Sequence, residues 1–211
     1  MPDTEHPSVI RSSPPHPVPY AFYAAIGTWK YRRPPCPTCE WHWQYPAEPL
    51  LVQWEPYRDN IGDFSYNGPT GEYNFIVTDQ VARFFEQRHF PCELRRIEYV
   101  KPRRRGKLPC VPFPYQGPRQ LWPECTSYLE LDQEASGVKL ESSCPDCGDV
   151  RHTFRYEGIV IPKNNWSGEP MFRIKTNGWS AATFITADAK RQLEDAGFTN
   201  LLCRKAGQIT E

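Results

Sequence analysis

Two cysteine pairs carry the residue types and spacing in this chain that are best suited to chemistry. Cys36 and Cys39 enclose a Pro-Thr dipeptide, and Cys144 and Cys147 enclose Pro-Asp. Zinc favours four tetrahedral ligands, and four thiolates close a structural site without leaving a coordination position for water. The two CxxC motifs therefore predict one structural Zn²⁺ site with Cys36, Cys39, Cys144 and Cys147 as its ligands.

The residue after each second cysteine bears on the shape of the two turns. Gly148 favours a zinc-knuckle turn, because the chain often adopts a positive φ there and a Cβ makes that conformation costly. Glu40 takes the equivalent place in the first motif. The two turns therefore need not be identical.

The separation of the motifs leaves other interpretations open. Residues 40–143 lie between them, whereas a compact zinc ribbon has about 15–20 residues there. A shared ion therefore requires a long-range closure. A redox dithiol is one alternative, although a redox CxxC opens a helix after a buried strand, and the flanks of Cys36 resemble neither element. Plain thiols and a disulfide are the others.

Composition bounds the class of protein. The 211 residues are 39% hydrophobic and include 23 prolines, which favours a folded chain with many loops and short elements. Lys+Arg and Asp+Glu balance at 25 each, which argues against a nucleic-acid binder held by overall charge. Residues 1–20 contain six prolines and no apolar run of an export signal. We expect a cytoplasmic protein without a membrane helix.

Hydrophobic patterning predicts an α+β fold of mostly short antiparallel strands with two short helices. Helices are expected over residues 80–89 and 187–196, with Thr78 or Asp79, and Thr186 or Asp188, as N-caps. Alternating or apolar runs predict strands within residues 20–31, 50–54, 73–77, 92–100, 129–132, 153–156, 158–161, 171–176, 182–185 and 201–204.

The chain divides into two halves that resemble each other. A shift of 108 positions carries Cys36 and Cys39 onto Cys144 and Cys147, and a similar shift aligns the two strand-to-helix units. We expect a Pro-rich extended or disordered lead-in over residues 1–19, a first CxxC half over 20–108, a Pro-rich linker over 109–128 and a second CxxC half over 129–211. These would be two pseudo-repeated halves around zinc-knuckle CxxC turns, packed as one domain. Each half would contribute one thiol pair to a shared ion.

Other candidate functional residues are weaker. The basic run at residues 101–107 includes Arg103, Arg104 and Arg105, and a solvated loop is favoured over a nucleic-acid contact. His42 is a fifth candidate ligand, while His89 and His152 have no acidic partner in the sequence. Phosphate-binding, metalloprotease and serine-hydrolase motifs do not occur in the sequence.

One layout joins the two CxxC motifs to several other segments of the chain. Its residues are 36–39, 45–46, 144–148, 171–173, 182–185, 197–198 and 202–204. This layout resembles a known family, the bacterial double-CXXCG motif proteins typified by the immunity proteins of myxobacterial swarm-inhibition toxins. Glu40 departs from the pattern of that family, as does the Pro-rich start.

The resemblance implies a cytoplasmic, non-enzymatic protein that binds and neutralises a cognate protein toxin. The loops at residues 57–72, 101–120 and 162–170 would supply the interface, with zinc as a structural cofactor. A zinc-ribbon nucleic-acid or regulatory module and a thiol redox protein are the alternatives.

Overall fold

A computed structural model describes most of the chain. It covers residues 8–10, 23–25, 30–31, 36–40, 44–45, 49–54, 61–66, 75–101, 111–153, 158–175 and 182–210. These residues form strands, two α-helices and one 3-10 helix, Lys163–Asn165. The predicted α+β class is confirmed at this level.

The helices are α1 (Asp79–Gln87) and α2 (Ala187–Asp195), and the strands are short. The strands are β1 (Ser8–Ile10), β2 (Tyr23–Ala25), β3 (Lys30–Tyr31), β4 (Gln44–Tyr45), β5 (Leu50–Trp54), β6 (Phe64–Tyr66), β7 (Phe75–Thr78), β8 (Cys92–Tyr99), β9 (Gln120–Cys125), β10 (Tyr128–Leu129), β11 (Leu140–Ser143), β12 (Val150–His152), β13 (Ile159–Pro162), β14 (Met171–Ile174), β15 (Phe184–Ile185), β16 (Cys203–Lys205) and β17 (Gly207–Thr210).

The strands form two larger sheets and three hairpin-sized ones. The six-stranded sheet has the order β2-β5-β8-β9-β7-β6, and the five-stranded sheet the order β10-β14-β15-β1-β16. β3–β4, β11–β12 and β13–β17 form separate pairs. Most pairings are antiparallel, as predicted, and the parallel ones are β5–β8, β10–β14 and β13–β17.

Both helices follow a buried strand directly and lie close to their predicted positions. Thr186 caps α2, because its Oγ1 accepts a hydrogen bond from Ala189 N at 3.1 Å. Thr78 stands at the same place before α1, but its hydroxyl donates to Asp63 Oδ1 instead, at 2.9 Å. α1 ends two residues before the predicted end, since His89 leaves the helical region with a φ of 54°.

One apolar core is shared between the two predicted halves. Val81 and Phe85 of α1 and Ala189 and Leu193 of α2 belong to the same buried cluster, together with Met171 of β14. A second cluster lies under the five-stranded sheet and includes Phe172 and Phe184, whose rings stack at 5.8 Å. Burial of these side chains holds the scaffold from which the cysteine turns project.

The predicted lead-in contains a strand. Within residues 1–19, β1 lies inside the five-stranded sheet and pairs antiparallel with both β15 and β16. Proline cannot supply the hydrogen bonds of an inner strand, but Ser8-Val9-Ile10 is a proline-free run with two β-branched residues. Within the lead-in expected to be extended or disordered, these three residues are therefore extended and paired in a sheet.

The predicted linker, residues 109–128, also contains a sheet strand. β9 runs between β8 and β7 although it includes Pro123. Thr126 N donates to Pro91 O at 2.8 Å, which makes the facing residues Cys92 and Cys125 a non-hydrogen-bonded pair. Because the two kinds of pair alternate along the ladder, Leu94 and Pro123, two residues further along, also form a non-hydrogen-bonded pair. The Pro123 nitrogen therefore faces away from β8, and the described pairing with β7 covers only Gln120 and Leu121. Proline removes no ladder hydrogen bond here.

Two further strands differ from the expectations. β6 lies in the predicted loop at residues 57–72, and β17 follows the strand predicted to be the last one. Asn177-Gly178, a dipeptide that favours a hairpin turn, falls outside the described residues. Within the described part of the chain, neither helix has the length and apolar character needed to cross a bilayer.

Candidate metal centre

The first CxxC motif forms a tight turn between two paired strands. β3 precedes it and β4 follows it, with Lys30 opposite Tyr45. Glu40 N donates to Cys36 O at 2.8 Å, which closes the turn. Glu40 adopts a φ of 56°, a left-handed conformation that is rare for residues with a Cβ. The turn directs both sulfurs to one side of the hairpin.

The second motif forms the same kind of turn between β11 and β12. Gly148 N donates to Cys144 O at 2.9 Å, and Gly148 has a φ of 71°. Cys144 N donates to Asp149 O at 2.8 Å and ties the base of the hairpin. The sequence left open whether the two turns differ, because Glu40 replaces glycine. Both have the same closing hydrogen bond and the same positive φ.

The structure brings the four predicted ligands together. The Cys36 and Cys144 sulfurs are 3.7 Å apart, and those of Cys39 and Cys147 are 3.6 Å apart. All four sulfurs lie within 4.8 Å of one another. A disulfide needs about 2.05 Å between sulfurs, whereas a tetrahedron with metal–sulfur bonds of about 2.3 Å has edges of about 3.8 Å. The cluster has the dimensions of a four-thiolate metal site and can hold one ion.

A further contact joins the turns beside the sulfurs. The Thr38 hydroxyl donates to an Asp146 carboxylate oxygen, so the residues between the cysteines of each motif are also bonded to each other. Cys36 and Cys144 are buried, while Cys39 and Cys147 lie nearer to the solvent. The site therefore has a closed inner side and an outer side at the protein surface.

The pKa values of Cys36 and Cys147 are shifted in opposite directions. Backbone hydrogen bonds from Cys39 and Thr38 lower the pKa of Cys36 to about 7. A backbone hydrogen bond from Asp149 lowers the pKa of Cys147, but burial and the three neighbouring thiols outweigh it and raise that pKa to about 12. Sulfurs at this separation lose their protons one after another, because each new thiolate disfavours the next. A cation among them favours the deprotonated form of all four.

An ion pair supports the second turn from behind. The Asp149 carboxylate is buried, and Arg151 Nε lies 3.6 Å from its Oδ2. Arg151 follows in β12, so the pair links the turn to the hairpin strand. The two residues fix the backbone next to Cys147 without contributing a ligand atom to the described cluster.

Two of the other sequence candidates, His89 and His152, lie in the described part of the chain. His152 is half-buried in β12, and its Nδ1 has no hydrogen-bond partner among the described residues. His89 is exposed at the end of α1. His42 and Arg103, Arg104 and Arg105 fall outside the described residues. Neither His89 nor His152 belongs to the described cysteine cluster.

The turns lack the feature that activates a redox dithiol. A redox CxxC has its first thiol at a helix N-terminus, which lowers the thiol pKa. Residues 36–40 and 144–148 are turns of hairpins, and α1 and α2 begin elsewhere, at Asp79 and Ala187. Each thiol also lies beside a thiol of the other motif. The arrangement suits metal binding better than disulfide exchange within one motif.

Sequence reasoning missed a second meeting of cysteines. Cys92 of β8 and Cys125 of β9 face each other in the six-stranded sheet. The sequence did not predict this pairing, because Cys125 fell in the predicted linker. The register between two strands also cannot be derived from a single sequence.

No protein-family model matches this chain, and no curated protein matches it either.

Proposed function

We propose that Cys36, Cys39, Cys144 and Cys147 bind one Zn²⁺ as a closed structural site. The observation that carries this proposal is the meeting of four sulfurs from distant segments within 4.8 Å. Four thiolates in tetrahedral arrangement select zinc or iron among the common metals, and zinc needs no redox partner. With four protein ligands there is no position for a reacting water, so the role of the ion is structural.

The site is the junction of two pseudo-repeated halves. The contacts Cys36–Cys144, Thr38–Asp146 and Cys39–Cys147 each join residues 108 positions apart. Contacts between equivalent residues occur at a two-fold axis, where a surface meets its own copy. The metal would therefore lie on an approximate two-fold axis of an internally duplicated chain.

The spacing of other elements supports the same duplication. α1 and α2 begin 108 positions apart and have the same length, each preceded by a threonine. The left-handed residues His89 and Gly197 follow the helices at the same spacing. Sequence identity between the halves is sparse, so the repetition is carried by backbone conformation and by the cysteines.

We further propose that the zinc-braced scaffold is a non-enzymatic binding protein whose partner is a protein toxin. A closed metal site supplies rigidity rather than chemistry, which suits a protein that acts by steric binding. The choice of a toxin as partner is supported only by the resemblance to double-CXXCG immunity proteins. Among the proposed interface loops, residues 111–119 expose Phe113, and residues 162–170 include the 3-10 helix.

Metal analysis of cysteine variants tests the zinc proposal. The wild-type chain is expected to hold one zinc per monomer, and Cys36→Ser and Cys144→Ser should each lose it, because both motifs supply ligands to one ion. Cys203→Ser, a cysteine outside the cluster, is the matched control and should keep full zinc. Iron in place of zinc, or retention of half the zinc in either ligand variant, would contradict the proposal.

Co-expression tests the partner. The protein should restore growth of cells that express a toxin encoded beside its gene, and the two purified proteins should form a stoichiometric complex on gel filtration. Replacement of the exposed Phe113 by alanine should weaken that complex without loss of zinc. The control is Tyr115→Phe, at a half-buried residue of the same loop, which should leave the complex unchanged. Growth arrest that the protein does not relieve, with no complex formed, would refute the toxin proposal and leave the zinc proposal intact.

A further inference from the structure

Two cysteines outside the metal centre meet on neighbouring strands. Cys92 is the first residue of β8 and Cys125 the last of β9, and they are direct partners in the antiparallel register. Directly opposite residues point their side chains to the same face of a sheet. Both side chains pack on the cluster that contains Phe85 and Phe90.

The hydrogen bonds next to the pair define its geometry. Thr126 N donates to Pro91 O at 2.8 Å, one residue beyond the pair on each strand. That bond marks Cys92 and Cys125 as a non-hydrogen-bonded pair, in which the Cα atoms are about 4.5 Å apart. Disulfides span Cα distances of about 4.4–6.8 Å. The backbone can therefore accept a bond between these two residues without moving apart or together.

The two thiols differ in access. Cys125 is 1% exposed, whereas Cys92 is half-buried at the end of the ladder. Both are free thiols, and the Cys125 thiol donates to Ser127 O at 3.6 Å. A reagent from solvent therefore meets Cys92 first, and Cys125 is placed behind it.

We propose that Cys92 and Cys125 are an oxidisable dithiol that closes a cross-strand disulfide by exchange with a small-molecule disulfide. The site is separate from the metal centre and does not depend on the proposed function.

The exchange proceeds in two balanced steps. Cys92, as thiolate, attacks one sulfur of the small disulfide, forms a mixed disulfide and releases one small thiolate. Cys125, as thiolate, then attacks the Cys92 sulfur, forms the Cys92–Cys125 bond and releases the second small thiolate. The protein loses two protons and two electrons, and the small disulfide is reduced to two thiols.

The surroundings make this exchange slow in neutral solution. Burial, followed by the nearby Cys125 and Glu86, raises the pKa of Cys92 to about 12, and the thiolate is the reactive form. Burial also raises the pKa of Cys125, although a backbone hydrogen bond from Ser127 and the Arg173 guanidinium offset part of the rise. The dithiol therefore survives brief oxidant exposure and closes under sustained oxidation.

Peptide mapping of the zinc-loaded full chain tests the proposal. Wild-type protein is incubated with excess oxidised glutathione, alkylated, digested and analysed by mass spectrometry, and peptides linked through Cys92 and Cys125 are expected. Because the bond closes a loop in the unfolded chain, Tm should rise by about 5–15 °C after oxidation and return on reduction. Three results for the wild-type protein would overturn the proposal: a stable glutathione adduct on Cys92, a disulfide between Cys92 and Cys203, or no modification of Cys92 and Cys125.

Two variants distinguish the first exchange step, at Cys92, from the second, at Cys125. Cys125→Ala should accumulate the glutathione adduct on Cys92, because the second step is removed, while Cys203→Ala should form the disulfide as wild type does. Cys203 is the matched control, since it packs against the same cluster. If Cys125→Ala does not fold, the wild-type peptide map alone decides the outcome.

Discussion

Glu40 adopts a backbone conformation in which glycine is usual. Its φ of 56° matches the 71° of Gly148, and both residues close a CxxC turn through a hydrogen bond to the first cysteine. A left-handed conformation costs a residue with a Cβ about 1 kcal/mol or more, because Cβ approaches a carbonyl oxygen. The first turn is therefore formed against a backbone cost that the second turn avoids.

Exchanging the residue types at these positions should have opposite effects. In the zinc-loaded protein, Glu40→Gly should raise the free energy of unfolding by about 0.5–1 kcal/mol and Gly148→Ala should lower it by about 1 kcal/mol. A Cβ at Gly148 meets no atom within 4 Å, so its effect is conformational. Urea unfolding of both variants measures this, and a loss of stability in Glu40→Gly would show that the Glu40 side chain outweighs the backbone cost.

At the residue scale, the sequence predicted the four cysteines that cluster but not the second cysteine pair. Two thiols three residues apart can be recognised as candidate metal ligands from their type and spacing alone, wherever the second motif lies in the chain. Cys92 and Cys125 are joined by strand register, which is set by tertiary packing and turn lengths rather than by either residue. A single sequence therefore gives no sign of their meeting.

Among the elements, the segment at residues 61–66 is held more firmly than a surface loop. The Asp63 carboxylate accepts hydrogen bonds from Thr78 Oγ1 at 2.9 Å, Thr199 N at 2.9 Å and Thr199 Oγ1 at 2.8 Å. Asn200 Nδ2 also donates to Phe64 O at 2.6 Å. Asp63 thus ties β6 and the start of α1 to the turn after α2.

Removal of the Asp63 carboxylate should destabilise the fold. Asp63→Ala leaves three donors without their acceptor, and hydrogen bonds to a charged group are worth about 1.5–3 kcal/mol each. We expect the free energy of unfolding to fall by about 2–4 kcal/mol. Asp195→Ala, an exposed carboxylate at the end of α2, is the control and should change it by about 0.5 kcal/mol or less. Equal stabilities for the two variants would show that the network is not a structural tie.

Local patterning predicted the elements that have a strong local signal. Both helices and β5, β7, β8 and β14 follow apolar periodicity closely. β1 and β9 were not predicted because many prolines lie near them, and proline argues against a strand. A proline fits in a strand where its nitrogen faces away from the neighbouring strand, as the Pro123 nitrogen does from β8. β6 lies among turn residues, and its burial comes from packing that the sequence does not reveal.

For the whole molecule, the central feature is a long-range closure at the cysteine cluster. Cys36 and Cys144 are separated by 108 positions, and their sulfurs are 3.7 Å apart. Binding of an ion at such a junction contributes to folding, because the ligands are dispersed in the unfolded chain. The shared apolar core and an ion bound at the cluster would therefore hold the two predicted halves together from different places.

X-ray absorption at the zinc edge of the monomeric protein tests this account most directly. The account predicts four sulfur neighbours at about 2.3 Å and no nitrogen or oxygen ligand. Two sulfurs completed by nitrogen or oxygen would mean that each CxxC motif binds its own ion, and would contradict a single shared site.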